Sequence, residues 1–112
     1  MFVAVALGAF GAHALKARLA PDMAAVWQTA VQYHAWHALA LLAVGILLAQ
    51  DPGCAGLVWS GWLFAAGIVL FSGSLYALAL TGLRGLGAVT PLGGVAWLGG
   101  WAALAWAVWK SP

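Results

Sequence analysis

A chain of 112 residues is enough for one domain. Hydrophobic residues make up 66% of it and charged residues 5%, against roughly 25% charged in an average soluble domain. That composition excludes a soluble monomer and identifies an integral membrane protein, and a net charge of +2 is too small for a nucleic-acid binder.

The first apolar run, Phe2 to Leu15, stops at Lys16 and Arg18. As a helix it is about 21 Å long, short of the ~30 Å hydrocarbon core. Ala12-His13-Ala14 has the small-x-small look of a cleavage site, but no basic segment precedes the run and three more spans follow. It is therefore assigned as a span, not a secretory signal. Pro21 and Asp22 open the second helix, with Asp22 placed to cap it. Met23, Val26, Trp27, Ala30 and Val31 repeat at helical spacing while Gln28, Thr29 and Gln32 fall opposite, so residues 22–33 predict an amphipathic, interfacial start. A span over 34–49 follows, and Asp51-Pro52-Gly53 reads as a tight turn. Cys54 is the lone cysteine, so no internal disulfide forms. The third span covers 57–81. The fourth covers 91–109, with Thr90 as its expected N-cap and Pro91 at its first position.

Short loops make consecutive helices antiparallel neighbours. The fold class is therefore all-α, a four-helix membrane bundle over residues 1–112. Helices associate in lipid through close contact. Gly93, Ala96, Gly100, Ala103 and Ala107 form a strip of small residues on the fourth span that predicts such contact. Trp59, Trp62, Trp106 and Trp109 are expected to form an aromatic belt beside the Asp51 loop.

Threading four antiparallel spans collects the polar residues on one side. His13, Lys16 and Arg18 come from the first loop, Gln32, Tyr33, His34 and His37 from the second helix, and Ser72, Ser74, Tyr76 and Arg84 from the third. Ser72, Gly73, Ser74 and Tyr76 interrupt a hydrophobic run, and an unpaired hydroxyl in hydrocarbon costs several kcal/mol. They are expected to face protein. Ser72 and Ser74 lie about 200° apart around a helix, so they should meet different neighbours, with Gly73 admitting a backbone between them. Tyr76, four residues after Ser72, should reach a polar group of the first or second helix. The spacing His34-x-x-His37, with His13 as a third ligand, invites a metal or haem reading. Without thiolates and with Asp22 the single carboxylate on that side, the expectation is no metal and no cofactor. Lys16, Arg18 and Arg84 are read as lipid-headgroup contacts. They outnumber Lys110 on the other side, which by the positive-inside rule makes the polar side cytoplasmic and both termini external.

The stretches LGAFGAHALK, WQTAVQYHAWHALALL, LFSGSLYALALTGLRGLG and TPLGGVAWLGGW closely resemble the domain of unknown function 423 family, also called the transmembrane protein 256 family. The resemblance runs in order along nearly the whole chain. It implies a small four-span protein of the bacterial cytoplasmic (inner) membrane, with a longer first span than this one, and it implies no activity. His13, His34, His37, Ser72, Ser74, Tyr76, Arg84, Thr90 and Pro91 are shared motif positions without roles.

The function expected from these residues is that of a non-enzymatic scaffold or accessory subunit. It would bind membrane lipids or a membrane partner, self-associate, and use the polar cluster as its binding region. The alternatives are a small-solute or proton transporter component using a polar column from Ser74 to His37, and a metal- or haem-dependent enzyme.

Overall fold

Four helices account for nearly all of the chain, which a computed structural model describes from Met1 to Pro112. They are α1 (Phe2–His13), α2 (Pro21–Gln50), α3 (Ala55–Thr81) and α4 (Thr90–Lys110), the last preceded by a 3₁₀ turn at Arg84–Ala88. α2, α3 and the segment Arg84–Lys110 are each long and apolar enough to cross a bilayer. α1, with 12 residues, is a shorter apolar helix. The interfacial start and the second span expected at 22–33 and 34–49 are one continuous helix of 30 residues, about 45 Å long. Neither expected cap forms. Ala20 holds the N-cap position of α2 and Pro21 its first turn, and the Asp22 side chain makes no capping bond. Thr90 lies inside the first turn of α4, and its hydroxyl is turned toward α3 instead.

The Cα envelope measures 52 × 26 × 15 Å. Packed helices stand 8–10 Å apart, so a 15 Å thickness describes a flattened bundle. α3 is its centre. It packs along α4 through the most extensive helix pair of the fold and along α2 on its other side. α1 lies against α2, and Leu15 in the turn after it joins Trp27 of α2 and Ala79 of α3 in a small cluster.

The α3–α4 contact is close because α4 presents its small strip there. Gly93, Gly100 and Ala107 are buried. A Cβ at Gly93 would collide with the backbone of Phe71, and one at Gly100 would press on the Phe64 ring. On α3, Gly67 leaves room for the Trp97 indole. The expected role of Gly73 is not met. A Cβ there would meet nothing closer than the carbonyl of Ile68 in its own helix, and the close backbone approach is made by Gly93.

One irregularity has no counterpart in the sequence reading. α3 opens into a π-helical turn over Ile68–Gly73. Its buried positions step through Leu57, Ser60, Phe64 and Gly67 at intervals of three and four, then five to Ser72. A π turn carries an extra residue per turn, so it absorbs that step and keeps the stripe facing its neighbours. Gly82, with φ 71°, then ends α3 in the left-handed conformation that glycine adopts without strain. The exposed Trp59, Trp62, Trp106 and Trp109 stand on the outer surface at the Asp51 end, as a belt requires.

Gly93 and Gly94 provide a direct test of this packing. Gly93→Ala should destabilise the protein by about 1–3 kcal/mol because the Phe71 backbone cannot yield. Gly94→Ala, in open space one residue on, should be neutral or slightly stabilising. Thermal unfolding of both variants in detergent reads the difference.

Candidate functional site

The polar residues of the membrane interior are distributed over three helix contacts. At the first, between α2 and α3, the Ser72 hydroxyl is fully buried and donates to the Ala30 carbonyl at 2.8 Å. One turn along α3, the Tyr76 hydroxyl shares a 3.0 Å hydrogen bond with Nδ1 of the buried His34. The Tyr76 ring packs on Trp27, with centroids 4.7 Å apart. Both α3 residues thus face α2.

At the second contact, between α3 and α4, Ser74 donates to the Phe71 carbonyl at 2.9 Å and lies 2.6 Å from the Thr90 hydroxyl. A serine has one proton to give, so Thr90 is the donor of that pair. Farther along, Ser60 is fully buried and donates to the Gly100 carbonyl at 2.9 Å. The Trp97 indole donates to the Phe64 carbonyl at 3.2 Å.

The third contact bridges α2 and α4 with rings. His37 stacks on Trp97 at 3.7 Å and 5°, and Tyr33 lies nearly parallel to Trp97 at 5.8 Å. His37 Nδ1 is 2.8 Å from the Tyr33 carbonyl, and the Trp101 indole donates to His37 Nε2 at 3.1 Å. A carbonyl only accepts and an indole N–H only donates. The pair of partners therefore defines His37 as the neutral Nδ1–H tautomer, with both ring nitrogens engaged.

The expected cluster is thus only partly assembled. Tyr33, His34, His37, Ser72, Ser74 and Tyr76 are inside the bundle. His13, Lys16, Arg18, Gln32 and Arg84 are exposed and apart from them. His13 ends α1 on the surface, so the three histidines occupy three separate environments. No group of three or more His, Cys, Asp or Glu side chains converges as a metal site would require. The polar residues also form no single column, because the contacts leading from Ser74 to His37 pass through the rings of Phe71 and Trp97.

Three participants were missed in the sequence. They are Ser60, Trp97 and Trp101, none of which belongs to the polar cluster expected from the sequence. A signal existed for the tryptophans: an indole placed well inside a span needs an acceptor for its N–H, unlike one at the membrane surface. Trp27 follows the same rule. It is buried against Gly11 and donates to the Leu7 carbonyl at 3.0 Å, tying α1 to α2.

Two outcomes follow from these bonds. A double-mutant cycle with Tyr76→Phe and His34→Phe should give a coupling of about 0.6–1.7 kcal/mol, measured by unfolding in detergent, the range for hydrogen bonds between membrane helices. In ¹⁵N spectra of histidine-labelled protein, His37 should show a protonated Nδ1 and an unprotonated Nε2, and Trp101→Phe should shift the Nε2 resonance.

Residues 7–94 match the family described as "Protein of unknown function (DUF423)". Among curated relatives, a UPF0382 membrane protein of Bacillus subtilis (strain 168), YwdK, is 52% identical over 99 residues, covering 88% of this chain and 80% of the relative. A UPF0382 membrane protein of Staphylococcus saprophyticus is 48% identical over 99 residues, covering 88% and 81%. One of Staphylococcus aureus, SAB0533, is 44% identical over 108 residues, covering 96% and 87%. No solved structure gives a significant match. With apolar helices of membrane length, this match over most of the chain, and bacterial relatives named as membrane proteins, the chain belongs to the DUF423 family of integral membrane proteins.

Proposed function

We propose that this protein is a non-enzymatic membrane scaffold or accessory subunit that binds lipid or a membrane partner. The observation that carries this reading is where the interior polar groups are spent. No buried side-chain nitrogen or oxygen lacks a hydrogen-bond partner. Their partners are mostly carbonyls of neighbouring helices: Ser72 on Ala30, Ser60 on Gly100, Trp97 on Phe64, Trp27 on Leu7. A catalytic site holds a nucleophile or base in reserve beside a space for substrate. Here the buried serines and His37 are committed to holding helices together. Their geometry supports a body built to keep one shape and to offer its outer surface to others.

The same geometry weighs against transport through the bundle. The principal cavities lie on the outside, between α1 and α2, around the Asp51 loop, and between α2 and α4. Neither Ser72 nor Ser74 lines one of them. A self-associated form would use the exposed apolar faces, such as Leu92, Val95 and Leu98 along α4.

Protein reconstituted into liposomes loaded with a pH-sensitive dye tests this reading. Under a potassium diffusion potential, proton and potassium flux should equal that of protein-free liposomes. Ser74→Ala should lower thermal stability without altering flux. A protein-dependent flux abolished by Ser74→Ala would establish the transport alternative instead.

A further inference from the structure

The groove between α1 and α2 carries a more specific assignment. It encloses about 370 Å³. Its walls are small or apolar, with Gly8, Gly11 and Ala12 on α1, Leu15 in the turn after it, and Trp27 and Val31 on α2. Gly11 faces the Trp27 indole and Gly8 faces Val31, so α1 packs closely on α2 at those two levels, and the groove runs beside them. Those two pairs also set the register of the antiparallel helices, so positions along the groove can be ordered by depth.

At the membrane-surface end stands Lys16, beside Leu19 and Ala24. One turn deeper, about 6 Å, is Gln28, and a further turn in is Gln32, both exposed along the α2 rim. Gly8 and Val31 line the groove at the level of Gln32. From the surface inward the groove offers a cation, then the Gln28 amide, then the hydrocarbon of Val31 and Gly8, with a second amide, Gln32, on the rim. A phospholipid has the matching order of phosphate, ester carbonyls and acyl chain. No carboxylate lines the groove; Arg18 adds a second positive charge to the same loop and Asp22, in the first turn of α2, a negative one, so that end is net positive. The charge at the mouth therefore complements a lipid of net negative charge and would repel the ammonium of a zwitterionic one.

We infer that the α1–α2 groove is a binding site for one anionic phospholipid, with its phosphate on Lys16, an ester carbonyl on the amide of Gln28, and an acyl chain along Val31 and Gly8. This deepens the binding reading above by naming the ligand class and the place. It is separable from it, because protein-dependent flux in liposomes would defeat the scaffold reading and leave lipid selection standing.

Native mass spectrometry of the full chain in detergent tests the site, with phosphatidylglycerol or phosphatidylcholine of identical acyl chains added at equal concentration. One phosphatidylglycerol should be retained per chain, with a preference of about fivefold over phosphatidylcholine, the value of one lysine near a membrane phosphate. Lys16→Gln should abolish the preference, while Arg84→Gln, on a different loop, should leave it. Ala12→Phe should fill the groove and lose both lipids while the thermal midpoint in detergent holds. Millimolar inorganic phosphate should displace neither lipid, since the acyl chain shares in the binding. Three results would overturn the inference: a preference unchanged in Lys16→Gln, an equal loss in Arg84→Gln that marks diffuse surface charge, or displacement by phosphate alone. A fourth is a dimer that Ala12→Phe dissociates while phosphatidylglycerol retention stays the same, which would give the groove to a second copy of the chain.

Discussion

A hydroxyl or indole N–H inside hydrocarbon has no water to bond, and this constraint organises the whole protein. Lipid is as apolar as a leucine side chain, so burying apolar surface does not drive helices together once they are inserted. What remains is close contact and hydrogen bonding between them. The backbone of each helix already satisfies itself, leaving the side-chain donors of Ser60, Ser72, Trp27, Trp97 and Trp101 to find acceptors. Each finds one on another helix: carbonyls of Gly100, Ala30, Leu7 and Phe64, and the Nε2 of His37. A donor that must be satisfied becomes a fastening, and the fastenings decide which helix lies beside which.

The two sides of α3 meet this constraint differently. Toward α4 the approach is close. Glycines at 93 and 100 admit the Phe71 backbone and the Phe64 ring, and the hydroxyls reach carbonyls directly. Between α2 and α4 the space is filled by the rings of Tyr33, His37, Phe71, Trp97 and Trp101. His37 serves as both plate and connector there. Its ring stacks on Trp97 while its two nitrogens join Tyr33 and Trp101. The π turn at Ile68–Gly73 lets α3 serve both neighbours, since it sets Ser72 toward α2 and Ser74 toward α4 without breaking the helix. π turns are found disproportionately at functional positions; here the demand that places one is the division of polar contacts between two helices.

Against this tightly joined core of α2, α3 and α4, α1 is loosely set. It is tied by one indole–carbonyl bond and a small apolar cluster, and a groove runs between it and α2. The half of the protein that carries most hydrogen bonds spends its interior polar groups between its own helices. The free cationic and amide groups Lys16, Gln28 and Gln32 border the half that is less tightly joined. Binding capacity and structural bonding are segregated along the fold, which suits a subunit that keeps one shape while engaging its surroundings.

The apolar composition, the breaks at Lys16, Asp51 and Arg84, and the periodic small residues of the fourth span were enough to specify a helical membrane protein and the order of its helices. They were also enough to require that Ser72, Ser74 and Tyr76 face protein, and that the two serines meet different helices. These conclusions depend on composition, length and helical period, which are local quantities. Which groups they would meet was decided only in three dimensions. A serine does not announce that its acceptor is the Ala30 carbonyl 42 residues away, because backbone carbonyls look alike in any sequence. The separation of His13 from His34 and His37, the structural use of Ser60, and the π turn have the same origin. Each depends on the register between helices, and register is set jointly by Gly93 against Phe71, Gly67 against Trp97 and Gly11 against Trp27. Such pair contacts carry no sequence period, so only the tertiary structure could decide which polar residues became fastenings and which stayed free at the groove.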